Sequence, residues 1–362
     1  MRLAIVTSWF TDVVGGSGTA VFFNTFTTGL RERGYELEII TPPPFKSADY
    51  VEITLERFLF NTELRTDPRL ANADLIIGFD YDGYGIDAQT SPPLITSAHA
   101  VFADVIQWES EPVRTMVQAQ AFFDRVAMEK ARRVTIGSQY AKDRIVTLYG
   151  IDPQKVTVIP HGMLTPTWMP YIDSEPRTPN DHPVILAVGK MYPRKRTNIL
   201  LRALALLRDQ HSDVELRVVG DGLEWDRLHA LAKELRLGDN LTWLGHISDD
   251  RQMAREWRQA DVFAHPSNQE TFGYVYLEAM QLGKPIIAAR AGAAPEVLKE
   301  AAVLVEPENP EALAVGLDHL LRDPANRQAY GQRAKERSTL YTYKKMIDSY
   351  TQVITEVVGA GG

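Results

Sequence analysis

The chain has 362 residues, of which 44% are hydrophobic and 24% charged, an ordinary globular balance that is too long for one core and suits two domains of roughly 150 to 200 residues each. Its 39 basic and 47 acidic side chains leave a net charge of −8, which disfavours nucleic acid or a strongly anionic membrane as the main partner. Cysteine is absent, so disulfides and thiolate metal sites are excluded and a cytoplasmic setting fits.

The chain enters a strand directly at Met1 to Val6, without the pattern of a signal peptide, and no uncharged run of roughly 18 apolar residues follows. The expectation is a soluble protein, peripheral to a membrane at most. Leu3 to Ser8 reads as a buried strand, a glycine-containing loop runs from Thr11 to Gly18, and Ala20 to Arg33 has helical spacing before Gly34. Glu36 to Thr41 is the next strand. This β-loop-α-β unit predicts a parallel sheet with a right-handed crossover. Pro42 to Pro44 end it, and Phe45 to Leu70 lacks a period and takes no assignment. Strand patterns resume at Asp74–Gly78, Pro93–Thr96, Arg133–Ile136 and Lys155–Ile159, with a helical pattern from about Val113 to Ala131.

Pro166, Pro170, Pro176, Pro179 and Pro183 mark the stretch from Thr165 to Pro183 as the linker, so the first domain is set at residues 1–165 and the second at 166–342. A second alternation follows, with strands at Val184–Val188, Val214–Val219, Asn240–Leu244 and Asp261–Ala264, separated by helices at Asn198–Arg208, Glu224–Leu235 and Asp249–Gln259. Strands at Pro285–Ala289 and Ala302–Val305 and helices to Val358 complete it. The predicted class is α/β, with two Rossmann-like parallel-sheet domains facing each other across a cleft.

Three loops carry chemistry. Gly15-Gly16-Ser17-Gly18, between the first strand and its helix, is open to three readings: a dinucleotide fingerprint, which Val21 and the loop's length oppose, a plain loop, or a glycine platform lining a ligand site. Lys190, Arg194, Lys195 and Arg196 crowd four cations before a helix start, which the helix dipole opposes unless an anion binds there; solvated surface charge is the alternative. Glu270 follows a buried strand, and Glu278 lies about two turns into a helix that Gly283 would end. Acids near a helix start are favoured by the dipole alone, but here the small-residue loop Arg290 to Glu296 accompanies them and could bring backbone amides close to a ligand.

Taken in order, the Gly15-Gly16 loop, Ile159-Pro160-His161-Gly162, Val188-Gly189, Gly220-Asp221-Gly222, Glu270 with Glu278 at E-x7-E spacing, and Gly292-x-x-Pro295-Glu296 make the chain resemble the GT4 family of retaining glycosyltransferases over nearly its whole length. That resemblance implies the two-domain GT-B fold, with a donor-binding second domain, an acceptor-binding first domain, and a C-terminal helix (343–362) crossing back to the first. It implies that Glu278 binds ribose hydroxyls, that Glu270 holds the donor sugar near the Phe272-Gly273 backbone, and that Lys195 and Lys190 neutralise the departing diphosphate. Lys190 stands where the family usually has arginine, which exchanges a bidentate fork for a point charge. Gly16 would approach the phosphates, and His99 would contact the donor sugar near the reacting carbon.

The expected reaction is metal-independent, retaining transfer of a hexose-type sugar from a nucleotide-diphosphate sugar to an acceptor hydroxyl of a glycan, glycolipid or small molecule. No cofactor or metal is expected beyond that co-substrate. With no clear second acid facing Glu270, a front-face mechanism is favoured over a covalent one. A GT-B epimerase or phosphorylase and a catalytically silent sugar-nucleotide-binding subunit are the alternatives. The aromatic, acidic turn Phe79 to Gly85 and the segment Phe45 to Leu70 are candidate acceptor elements, with core or loop packing an equal alternative for the turn's aromatics, and the basic helix from Val113 to Arg133, diluted by Asp124 and Glu129, is a candidate membrane contact.

Overall fold

The computed structural model describes residues 1–9, 18–46, 49–175 and 182–359; the glycine loop with Gly16 lies outside the described residues. The chain divides into two compact units, Met1–Met163 with Thr342–Gly362, and Leu164–Tyr341.

Among the described residues the first unit carries six strands, β1 (Arg2–Val6), β2 (Glu36–Ile40), β3 (Leu75–Phe79), β4 (Leu94–Ser97), β5 (Arg133–Ile136) and β6 (Val156–Val158). They form one parallel sheet in the order β2-β1-β3-β4-β5-β6. Leu3 to Val6 and Leu75 to Ile77 are fully buried, as strands covered by helices on both faces must be, which is why they read as continuous apolar runs. The second unit repeats the plan with β7 (Val184–Val188), β8 (Glu215–Val219), β9 (Leu241–Gly245), β10 (Val262–His265), β11 (Ile286–Ala289) and β12 (Ala302–Val305). Their order is β12-β11-β10-β7-β8-β9, again all parallel.

Strand order reverses between β1 and β3 in one sheet and between β7 and β10 in the other. Loops leaving the carboxyl ends of such neighbours diverge, and the crevice they leave is where open α/β sheets bind ligands. The loops holding Lys190 and Lys195, after β7, and Glu270, after β10, flank the second reversal.

The helix Tyr343–Gly359 belongs to the first unit and buries Met346, Ile347, Tyr350, Val353, Ile354 and Val357, the face its spacing predicts. It packs on the helix Gly18–Glu32 so closely that a Cβ on Gly29 would lie 2.3 Å from Ile347 Cγ1.

The sequence left three features unread. Phe45 to Leu70 contains the helix Tyr50–Glu63, capped by Asp49, whose carboxylate accepts from the Val51 and Glu52 amides. Its pattern is obscured because Arg57 and Asn61 point inward, where Arg57 Nε donates to the Ser8 carbonyl at 3.1 Å and Asn61 Nδ2 to Asp82 at 2.7 Å. A second helix, Gln139–Tyr149, starts at the Ser138 cap and ends at left-handed Gly150. The proline-rich stretch, through Glu175, packs on the second unit: Trp168 stacks on Trp257 at 5.8 Å and Glu175 pairs with Arg255 at 3.3 Å.

Candidate active site

In the second unit the loop after β10 is fastened to the loop after β7. The Asn268 amide donates to the Arg194 carbonyl at 2.9 Å, and Ser267 Oγ donates to that oxygen at 3.3 Å. From the other side the loop after β11 presses on Glu270. A Cβ on Gly292 would lie 2.7 Å from the Glu270 nitrogen, and the Ala293 amide donates to the Glu270 carbonyl at 2.9 Å. Gly292 therefore allows the close approach of this loop's backbone to that of Glu270.

So held, the buried Glu270 carboxylate meets two basic side chains. Lys195 forms an ion pair with Oε1, and His265 Nε2 lies 2.7 Å from the same oxygen. Burial alone would raise the Glu270 pKa, but the Lys195 ammonium and His265 pull it well below the usual carboxylate range. An ionised carboxylate only accepts, so His265 donates its Nε2 proton. Burial lowers the His265 pKa and keeps the ring neutral at pH 7. Burial also lowers Lys195, against the pull of Glu270. Tyr276 turns its ring edge to His265 at 5.3 Å, and its buried hydroxyl has no hydrogen-bond partner among the described residues.

Glu278 is the opposite case. It lies in the second turn of the helix Tyr274–Gln281, and its carboxylate makes no hydrogen bond or ion pair with another described residue. Burial pushes its pKa up to about 7. Such a carboxyl is poised to receive hydroxyl donors from a ligand. Lys190 instead is engaged, donating to Asp221 Oδ1 at 2.7 Å. Phe272 is a core side chain edge-on to Tyr341 at 5.4 Å, so only its backbone is available to a ligand, and Gly273 is the left-handed N-cap of the Glu278 helix.

His99 lies in the first unit, just past β4. Asp80, after β3, accepts from the His99 and Ala100 amides at 2.6 and 3.0 Å. The imidazole packs on Phe22 at 4.1 Å, Phe79 at 4.9 Å and His161 at 5.6 Å. Burial, and then the neighbouring His161, hold its pKa well below the ordinary value. His99 is a neutral ring at pH 7.

Of the two readings open for the turn Phe79 to Gly85, core packing is the one observed: Tyr81 is fully buried, Tyr84 donates to the Phe58 carbonyl, and Asp82 accepts from the Ser8 amide and hydroxyl and from Asn61. On the helix Val113–Lys130, Arg125 pairs with Glu129 at 2.7 Å and Lys130 donates to the Ile86 carbonyl at 3.0 Å. Among the described residues no helix is long and apolar enough to cross a membrane, and no group of three or more His, Asp or Glu side chains could hold a metal ion. Sequence reading missed His265 and Tyr276. The one signal for His265 was its place directly after an apolar strand run.

Two all-parallel units of this design make up the GT-B fold seen in glycosyltransferases of known structure. The model described as Glycosyltransferase Family 4 matches residues 16–165, and that described as Glycosyl transferases group 1 matches residues 171–337. The chain belongs to glycosyltransferase family 4. A D-inositol 3-phosphate glycosyltransferase of Kineococcus radiotolerans is 33% identical over 259 residues, covering 65% of this chain and 59% of that protein. The chain spans only 53 to 61% of the length of such relatives from Mycolicibacterium gilvum, Corynebacterium kroppenstedtii and Segniliparus rotundus. Among solved structures, sucrose-phosphate synthase of Thermosynechococcus elongatus superposes with a TM-score of 0.83 at 20% identity, over 99% of both chains. Anabaena HepE in complex with UDP-glucose gives 0.69 at 19% identity, over 98% of this chain and 100% of that one.

Proposed function

We propose that the protein is a retaining, metal-independent glycosyltransferase that moves a hexose-type sugar from a nucleotide-diphosphate sugar to an acceptor hydroxyl. The observation that carries the reading is the Glu270 carboxylate, fixed between Lys195 and His265 at the strand-order reversal of the second sheet, with Glu278, whose carboxylate meets no partner among the described residues, on the helix that follows. A strongly ionised carboxylate accepts hydrogen bonds from sugar hydroxyls, and Glu278 does the same for the ribose. Lys195 can exchange its pairing with Glu270 for the diphosphate, stabilising charge as the leaving group departs, and Lys190 can do so from Asp221. His99 is assigned a contact with the donor sugar, Gly16 an approach to the phosphates, and the Phe272-Gly273 backbone a place beside the sugar.

The same geometry favours a front-face reaction. Glu270 is a weak nucleophile because its basicity is low and Oε1 already accepts from two donors. The departing phosphate oxygen then takes the acceptor proton as the new glycosidic bond forms on the face the phosphate leaves. The lysines supply the countercharge a metal would otherwise provide. We also assign the second unit to the donor, the first to the acceptor, and the protein to the cytoplasm. The names of the relatives and of the HepE complex put UDP-glucose and inositol phosphates first in any screen.

A thermal-shift panel of UDP-, GDP- and ADP-hexoses tests the reading. One of them should stabilise the wild-type chain, and Glu278→Ala should abolish that stabilisation. Glu270→Gln should keep nucleotide binding and lose turnover about 100-fold or more, and EDTA should leave turnover unchanged. If none of the panel stabilises the chain, the donor reading fails; if chelation stops turnover, metal independence fails.

A further inference from the structure

A buried chain of hydroxyls runs from the C-terminal helix to His99. Ser97 and Thr135 are register partners on β4 and β5, so their side chains leave the same face of the sheet side by side. The Tyr350 hydroxyl, from the helix Tyr343–Gly359, sits 2.8 Å from Ser97 Oγ and 3.0 Å from Thr135 Oγ1. Ser97 Oγ in turn lies 3.3 Å from His99 Nε2. Ser97, Thr135 and Tyr350 are all buried. The Tyr350 ring is fixed separately by Phe26, edge-on at 4.7 Å, and by Phe22 at 5.9 Å, and Phe22 also packs against the imidazole.

We propose that Tyr350 is a positioning residue for His99, setting the rotation and tautomer of its imidazole through the Ser97 hydroxyl. A phenol has one proton, so Tyr350 donates to one of its two neighbours and accepts from the other, leaving Ser97 to complete its bonding at His99 Nε2. Burial pushes the Tyr350 pKa up to about 12, so that proton is present across the working range. A neutral imidazole has one N–H and one lone pair, and a hydroxyl with a defined sense at Nε2 selects between its two tautomers. The helix that returns to the first unit thus acts on the imidazole through Ser97. The consequence for turnover rests on the proposed role of His99; the effect on the imidazole does not.

Tyr350→Phe removes the hydroxyl and keeps the ring that packs on Phe22 and Phe26. Ser97→Ala breaks the same chain without touching the helix. Nitrogen-15 correlation spectra of the full chain should show one dominant His99 tautomer in the wild type and a mixture in both variants, with the double variant no further changed than either single one. With UDP-glucose as probe, UDP release should fall roughly tenfold in turnover number, with the Michaelis constant within about twofold. A purely structural tyrosine would lower the melting temperature and leave the His99 signals as they were. If Tyr350→Phe fails to fold, Ser97→Ala decides alone. Unchanged His99 signals in Ser97→Ala overturn the proposal and leave the role of His99 standing. Full UDP release by His99→Ala would sink that role, while the spectra would still report on Tyr350.

Discussion

Glu270 and Glu278 are the same residue type eight positions apart, yet their surroundings drive them in opposite directions. Lys195 and His265 overcome burial at Glu270, whereas no described residue opposes burial at Glu278. With a folded pKa of about 7, above the ordinary 4.5, Glu278 favours the fold most when protonated, and this contribution fades as pH rises through about 7. Ribose hydroxyls bind the ionised form, so binding runs the other way. Stabilisation by the nucleotide sugar should be greater at about pH 8 than at about pH 6, and Glu278→Gln should flatten the difference. Equal pH dependence in wild type and variant would remove Glu278 from the ribose. Glu270, Glu278 and Lys195 were legible because charge beside loops and helix starts stands out in a sequence. His265 and Tyr276 were not, since a histidine ending an apolar strand, or a tyrosine on a buried helix face, looks like any core residue.

Among the elements, the helix Tyr343–Gly359 was expected from the resemblance, and the apolar residues at helical spacing along it are the buried ones. At about 1.5–3 kcal/mol for each fully buried apolar side chain, that face rivals the whole stability of a domain, about 5–15 kcal/mol. A chain ending at Thr342 should therefore lose the melting transition of the first unit and keep that of the second. Calorimetry showing both transitions intact would contradict the docking. The helix Tyr50–Glu63 was illegible for a physical reason. Its inward face carries Arg57 and Asn61, which serve Ser8 and Asp82, so polar residues sit where a period should show apolar ones.

At the level of the whole molecule, parallel strands buried on both faces write themselves into the sequence as short apolar runs, and the alternation with helices repeats twice. That made the class readable. The order of strands, and hence the reversal that gathers Lys195, His265 and Glu270, depends on pairings distant in sequence and needed the structure. The acceptor was not legible, because the aromatic turn at Phe79 to Gly85 reads equally as sugar platform or core, and it is core. Real-time proton NMR of the anomeric centre, with the nucleotide hexose that most stabilises the chain, tests the proposed retaining transfer most directly. The first sugar product should carry the donor's anomeric configuration; an inverted first product, or a bound donor never transferred or hydrolysed, would contradict it.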